Sequence, residues 1–496
     1  MSLPPRRRRL LDRALALVLA LVVAVVGLLV YRSSDIRNAS LAVSPSTGST
    51  GAYAAPSTAS ATTAVPTALI QQWTATTDPA LGTVVSPSGV VVTSSQHSVS
   101  AHDAVTGQVR WTYSRSNRDL CAVGSNDLGP ADMGSQATVP GITTVFAENG
   151  YCSQVSSFDP ATGARGNDRT SANQSVGSLV FGGSYAGWLG PSRVEVWRYD
   201  LVRTIQYGDQ ANPTQPGYSR AGCTFTDMAI AATQFATIEH CPAEGNTARL
   251  AINFDDPGGV SGHPDGWDAF KHTVRTCVPT VVKGCVDIDT KAAGARIVGI
   301  TADRVAVLVS GPTPAVVVYD AAGTETSRTP VDVAAGAIVA ADAVSNPART
   351  TPAVTTADQR FSFIGNAVVA VSMPTVQAVA PKTSFSAAPT TTTSSSSITA
   401  ALQPSAAPAE VDVADVKLDW VAADALGLPA TVGGTVLLPT AKGLAVFDAT
   451  NGPSALGVSA ARTIAVDRAG YTGRVDAGAV GSMIIEERGT TVVGLR

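Results

Sequence analysis

The sequence predicts an all-β fold, an eight-bladed β-propeller of four-stranded antiparallel blades, preceded by one N-terminal transmembrane helix. Three observations carry that reading. First, an apolar run ends in an aromatic residue or His followed by Asp at six places: His102-Asp103, Phe158-Asp159, Tyr199-Asp200, Phe254-Asp255, Tyr319-Asp320 and Phe447-Asp448. The first five stand 41 to 65 residues apart, the spacing of a repeat array. Second, a Gly follows most of them, most fully in Asp103-Ala-Val-Thr-Gly107, Asp159-Pro-Ala-Thr-Gly163 and Asp448-Ala-Thr-Asn-Gly452. Third, Ala14–Val30 is a run of 17 uncharged, almost wholly aliphatic residues behind Arg6-Arg-Arg-Arg9 and Arg13.

Taken in chain order, residues 1–13 read as a basic cytoplasmic tail and 14–31 as the membrane helix. With its neighbours Leu10, Leu11 and Tyr31 the apolar run approaches the ~20 residues that a spanning helix needs. Arginines before it predict a cytoplasmic N-terminus and an extracytoplasmic remainder, a single-pass protein of the cell membrane. A cleaved signal has an apolar region of about 7–15 residues; this one is longer, so an uncleaved anchor is expected. The short tail leaves no room for a kinase or DNA-binding output. Residues 38–66 are Ser, Thr, Ala, Pro and Gly almost throughout, too poor in apolar surface to fold, and 32–67 read as a disordered linker. The propeller is expected over 68–496, with a disordered Thr/Ser-rich loop at about 383–410 and strand-like runs resuming at Val436.

The repeat has a local physical cause. An Asp carboxylate bonds backbone amides two residues on and starts a turn, and Gly supplies the positive φ that closes it. Flanking runs, such as Val90–Ser95, Ser98–Asp103 and Gln108–Tyr113, have strand composition. Sheets arranged radially bury both faces, and a closed ring leaves no long edge. Two further units lack the aromatic-Asp mark: Asn366–Ser372 leading to Val376–Val379, and Ser482–Glu486 with Gly489–Leu495. Six marked and two unmarked units make eight blades, with seven as the alternative count. The last unit lacks an outer strand, and Ile70-Gln-Gln-Trp73 is expected to supply it and close the ring.

All six cysteines, Cys121, Cys152, Cys223, Cys241, Cys277 and Cys285, lie beyond the membrane run. An even count in an exported domain reads as disulfides. Six cysteines allow fifteen pairings, and the sequence does not decide among them; strand placement can bring Cys121 to Cys152, hairpin spacing suits Cys277 with Cys285, and Cys223 with Cys241 would remain. Metal sites built on Cys want close pairs such as C-x-x-C, and the sequence has none. The cluster His263, Asp265, Asp268 and His272 reads as an inter-strand loop rather than a metal site. Net charge is −4; residues 1–37 carry seven Arg against Asp12 and Asp35, or +5, so the remainder is −9. An acidic body argues against nucleic acid as a partner.

The copy from Ser98 to Trp111 resembles the repeat of the quinoprotein-type (PQQ-like) β-propeller family, an apolar strand followed by Asp-x-x-Thr-Gly and then Trp. Asp103, Thr106, Gly107 and Trp111 match it, as do Asp159, Thr162 and Gly163; Asp320 with Gly323 and Asp448 with Gly452 match in part. The resemblance runs over 68–496 and is strongest in the first two copies. It implies fold rather than chemistry. Family members that use pyrroloquinoline quinone share an adjacent Cys pair, a catalytic Asp and a calcium held by acidic residues. This chain has no adjacent cysteines, and turns occupy most of its Asp residues. No catalytic, cofactor-binding or metal residue is therefore assigned, and no cofactor is expected. The resemblance favours the non-catalytic envelope propellers, which are similar to the scaffold lipoprotein of the outer-membrane β-barrel assembly machine. A non-enzymatic protein-binding scaffold or adaptor with an envelope protein partner is the expectation. A small-molecule or cell-wall glycan sensing module is the alternative, and a quinone-dependent oxidoreductase the third reading.

Overall fold

The computed structural model describes residues 5–44, 65–125, 141–182, 185–210, 220–231, 234–244, 248–254, 285–287, 294–301, 304–320, 323–340, 353–356, 359–373, 416–449, 452 and 462–496. Helix α1 (Pro5–Ser33) is followed by the short helix α2 (Asp35–Asn38) and then by eight antiparallel sheets. Each sheet has four strands, named A to D here; they follow in sequential order except in the eighth, whose D strand comes from before blade 1, and the first sheet carries a fifth. A strands of neighbouring blades adjoin one another around the ring, blade 8 against blade 1 included, while between blades 5 and 6 the A strand of blade 5 meets the B and C strands of blade 6, so the ring is closed.

Blade 1 comprises Val84–Ser86, Val90–Ser95, Ser98–Asp103 and Val109–Arg115. Blade 2 ends on Tyr151–Phe158 and Arg165–Thr170 as its C and D strands. Inner strands carry apolar runs buried on both faces, because both pack on neighbouring blades: Val90, Val91 and Val92 are fully buried, as are Val305, Ala306, Val307 and Leu308. Between blades 4 and 5, Ile238, Leu250 and Ile252 meet Ile297, Val307 and Val317. Period-two alternation survives in D strands such as Val109–Arg115, which has one face on the neighbouring blade and one towards solvent.

Closure is made by the expected segment. Gln71–Thr76 is the D strand of blade 8, antiparallel to Thr491–Leu495, with Trp73 opposite Gly494 and Thr76 opposite Thr491. Gly494 is required there: a Cβ would lie 2.3 Å from the Trp73 indole.

Three expectations are corrected. Residues 32–67 are not all linker, because Ala39–Val43 adds a fifth strand to blade 1, running antiparallel to Val109–Arg115 from Ala39↔Arg115 to Val43↔Trp111. The N-terminal apolar helix is longer than the expected residues 14–31, since α1 runs from Pro5 to Ser33 and leads almost directly into that strand. In blade 6 the partner of Ala367–Ser372 is Lys417–Ala422, so the strand pattern resumes at Lys417 rather than Val436. The Thr/Ser-rich segment at 383–410 and the expected Val376–Val379 strand lie outside the described residues.

Candidate functional site

The aromatic-Asp mark sits at one place in the blade, the end of the C strand before the turn to D. Asp103 Oδ1 accepts the amides of Val105 and Thr106 at 3.1 and 3.0 Å and the Thr106 hydroxyl at 3.1 Å. Asp159 Oδ1 accepts the Thr162 amide and hydroxyl, both at 2.8 Å. Asp320 Oδ1 accepts the Thr324 amide at 2.8 Å. Gly107, Gly163, Gly323 and Gly452 have φ of 71°, 73°, 80° and 66°, the left-handed region that favours glycine. Asp448 ends its C strand as well. Asp255 lies outside the described residues.

These turns are also sockets. Trp111, on the D strand of blade 1, donates Nε1–H to the Pro160 carbonyl of the blade 2 turn at 2.9 Å. Trp73, on the D strand of blade 8, does the same to Ala104 of blade 1 at 2.9 Å, and Trp420 of blade 6 to Ala449 of blade 7 at 2.8 Å. In each case the acceptor is the residue just after the motif Asp. The aromatic slot before that Asp receives the same indole: Trp73 stacks on His102, Trp111 on Phe158, and Trp420 meets Phe447 edge-on. The motif glycine completes the fit. A Cβ on Gly107, Gly163 or Gly452 would stand 2.5, 2.6 or 2.4 Å from the indole Cγ of its Trp. At the interface of blades 2 and 3, Arg169 takes a comparable part, donating to the Leu201 carbonyl just after Asp200. Sequence reasoning identified the turn but not the socket, because Trp and turn belong to successive blades. The available signal was the likeness of Trp73 and Trp420 to Trp111 as tryptophans on D strands.

Buried carboxylates at blade interfaces are engaged by cations and donors. Glu195 accepts the Trp197 indole at 2.8 Å and Arg169 at 3.1 Å. Glu239 accepts Arg220 at 2.6 Å and the Tyr207 hydroxyl at 2.8 Å, and burial together with the Glu239 charge pushes that phenol well up. Glu486 is held by Arg468 and Arg488, each at 2.8 Å. Bonded in this way, they serve as ties between strands rather than as free acids or bases. Among the described residues no group of three or more His, Cys, Asp or Glu is placed to hold a metal. The cluster from His263 to His272 lies outside them.

Cys121 is bonded to Cys152 and Cys223 to Cys241. Cys277 lies outside the described residues, and Cys285 begins the D strand of blade 4.

The N-terminal helix meets the ring through a charged joint. Asp35 pairs with the buried Arg115 and, at 3.2 Å, with Arg118, whose Nη2 also reaches Glu148 at 2.7 Å. Asn117 donates to the Ser33 carbonyl at 3.2 Å, and the Ser116 amide donates to the Asn38 carbonyl at 3.0 Å. Partial burial alone would raise the Asp35 carboxyl, but the hydrogen bond and charge of Arg115, joined by Arg118, hold it below its ordinary value.

By its strand pairing the chain is an eight-bladed β-propeller with one N-terminal apolar helix. No protein-family model matches it, and no curated protein sequence does. Among solved structures it is similar to BamB from Moraxella catarrhalis, with TM-score 0.40 and 12% identity over 86% of this chain and 97% of that one. A mitotic checkpoint complex chain gives TM-score 0.40 and 10% identity, covering 87% of this chain and 92% of that one. The computationally designed Ika8 protein gives 0.38 and 11%, covering 83% and 94%. The architecture rests on the strand pairing and not on these distant likenesses.

Proposed function

We propose that this protein is a membrane-tethered, extracytoplasmic propeller that acts as a non-enzymatic binding scaffold or adaptor for other proteins of the cell envelope. The observation that carries the reading is the joining of an apolar helix to a disulfide-bonded ring. The span Asp12–Ser33 is 22 residues long, and its most apolar 18-residue stretch has mean hydropathy 3.0. At about 1.5 Å per residue that length matches a hydrocarbon core of about 30 Å. Arginines precede it, which favours a cytoplasmic N-terminus. The two disulfides beyond it suit an oxidising compartment outside the cytoplasm. Folding of Ser33 to Val43 into the joint and into blade 1 supports retention of the helix, since cleavage there would cut either the joint or the added strand.

Non-enzymatic binding is supported by the way the conspicuous polar groups are used. Motif aspartates build turns, and Glu195, Glu239 and Glu486 are tied to arginines. Co-purification of the full chain from detergent-extracted membranes, with proximity labelling in cells, tests the role. A reproducible set of envelope proteins is expected; recovery of none by either method refutes it.

A further inference from the structure

We infer that the propeller is clamped to its own membrane in one orientation, with the strand ends around Arg115 and Glu148 against the lipid headgroups and the Asp turns facing away. The inference rests on the membrane-anchor reading above and deepens it by naming the surface that meets the lipid.

The geometry follows from the chain path. Only residues 34–38 separate α1 from the fifth strand, and 35–38 of these are helical, a length of about 6 Å. The fifth strand starts opposite Arg115, the last residue of the blade 1 D strand. The helix therefore leaves the ring at the end of the blade where D strands finish and B strands turn into C. Asp turns lie at the opposite end, where C turns into D. A strand of seven or eight residues separates the two ends by about 25 Å.

The joint is stiff as well as short. Asp35 links the helix side to Arg115 and Arg118, and Arg118 carries the linkage on to Glu148 at the B–C turn of blade 2. Glu148 pairs across that turn with Tyr151, whose side chain is 59% exposed. Tyr31, near the end of α1, is also exposed. Tyrosines favour the bilayer interface, where an apolar ring and a hydroxyl are both accommodated. One tyrosine therefore ends the span, and a second stands on a turn tied to the same charged joint. Headgroup layers bring a bilayer from about 30 Å of hydrocarbon to about 40–45 Å overall, so a joint this short holds the turn at their level.

The test uses the full chain in phosphatidylcholine–phosphatidylglycerol vesicles that carry a lipid quencher at headgroup depth. One fluorophore is placed on Tyr151→Cys and, in a second protein, on Ala164→Cys, an exposed site just past the Asp turn at the other end of blade 2; labelling of the unsubstituted chain gives the background. Loss of most of the emission is expected at 151 and little loss at 164, with Asp35→Ala shrinking the difference. Equal quenching at the two positions, in protein that floats with the vesicles, overturns the orientation. An unchanged difference in Asp35→Ala overturns the clamp. Failure to float refutes the anchor reading itself, and the inference with it.

Discussion

At the scale of single residues, one histidine shows how the repeat adapts. His102 occupies the slot filled by Phe158 and Phe447, stacked on Trp73, with Nδ1 at 3.1 Å from the Gly107 carbonyl and Nε2 at 3.0 Å from the Thr93 hydroxyl. A neutral ring satisfies both partners, donating through Nδ1 and accepting through Nε2. Burial pushes its pKa below 6.5, although the bond to the Gly107 carbonyl pulls the other way. A depressed histidine leaves more protons on the unfolded chain, so its contribution is whole above pH 6.5 and is lost as pH falls towards the folded value. His102→Phe is therefore expected to flatten the dependence of melting temperature on pH between about 7.5 and 5; an unchanged slope refutes this. Gly163→Ala tests the socket. It forces a Cβ into the left-handed region and onto Trp111, and unfolding in urea should show a loss of more than about 2 kcal/mol.

At the scale of elements, the strand–turn–strand unit derives stability from its neighbour. Trp111 is fully buried between its own blade and the next turn, so Trp111→Ala should cost about 3–5 kcal/mol in denaturant unfolding. Arg468→Ala would leave Glu486 fully buried with one guanidinium fewer, and a loss of about 3–5 kcal/mol is expected from the same measurement. Much of the blade plan was legible in the sequence, because Asp and Gly act locally and recur at the same corner. The unmarked blades 6 and 8 were still visible through apolar strands, Ala367–Ser372 in the one and Met483–Arg488 with Thr491–Leu495 in the other, whereas Gln359–Ile364 was not read from the sequence. Ala39–Val43 was not legible. It sits beside a low-complexity stretch, its middle three residues are exposed, and its partner lies about 70 residues ahead. The tryptophan sockets were hidden for the related reason that donor and acceptor fall in different repeats.

At the scale of the whole molecule, cooperativity hangs on the sheet that joins distant parts of the chain. Gly494→Val would press a side chain into the Trp73 indole and expel the closing strand. The expected outcome is a lower, broadened or split calorimetric transition; a single sharp transition at the original temperature would show that closure does not couple the blades.

The closing seam also sets a limit on the order of assembly. The added strand and blade 1 are synthesised soon after the apolar helix, so the ring can begin to form from its N-terminal side. Its last seam, Gln71–Thr76 with Thr491–Leu495, waits for the far end of the chain to emerge. Until then Trp73 lacks its partner strand, and a stalled or shortened polypeptide leaves the sheet of blade 8 incomplete.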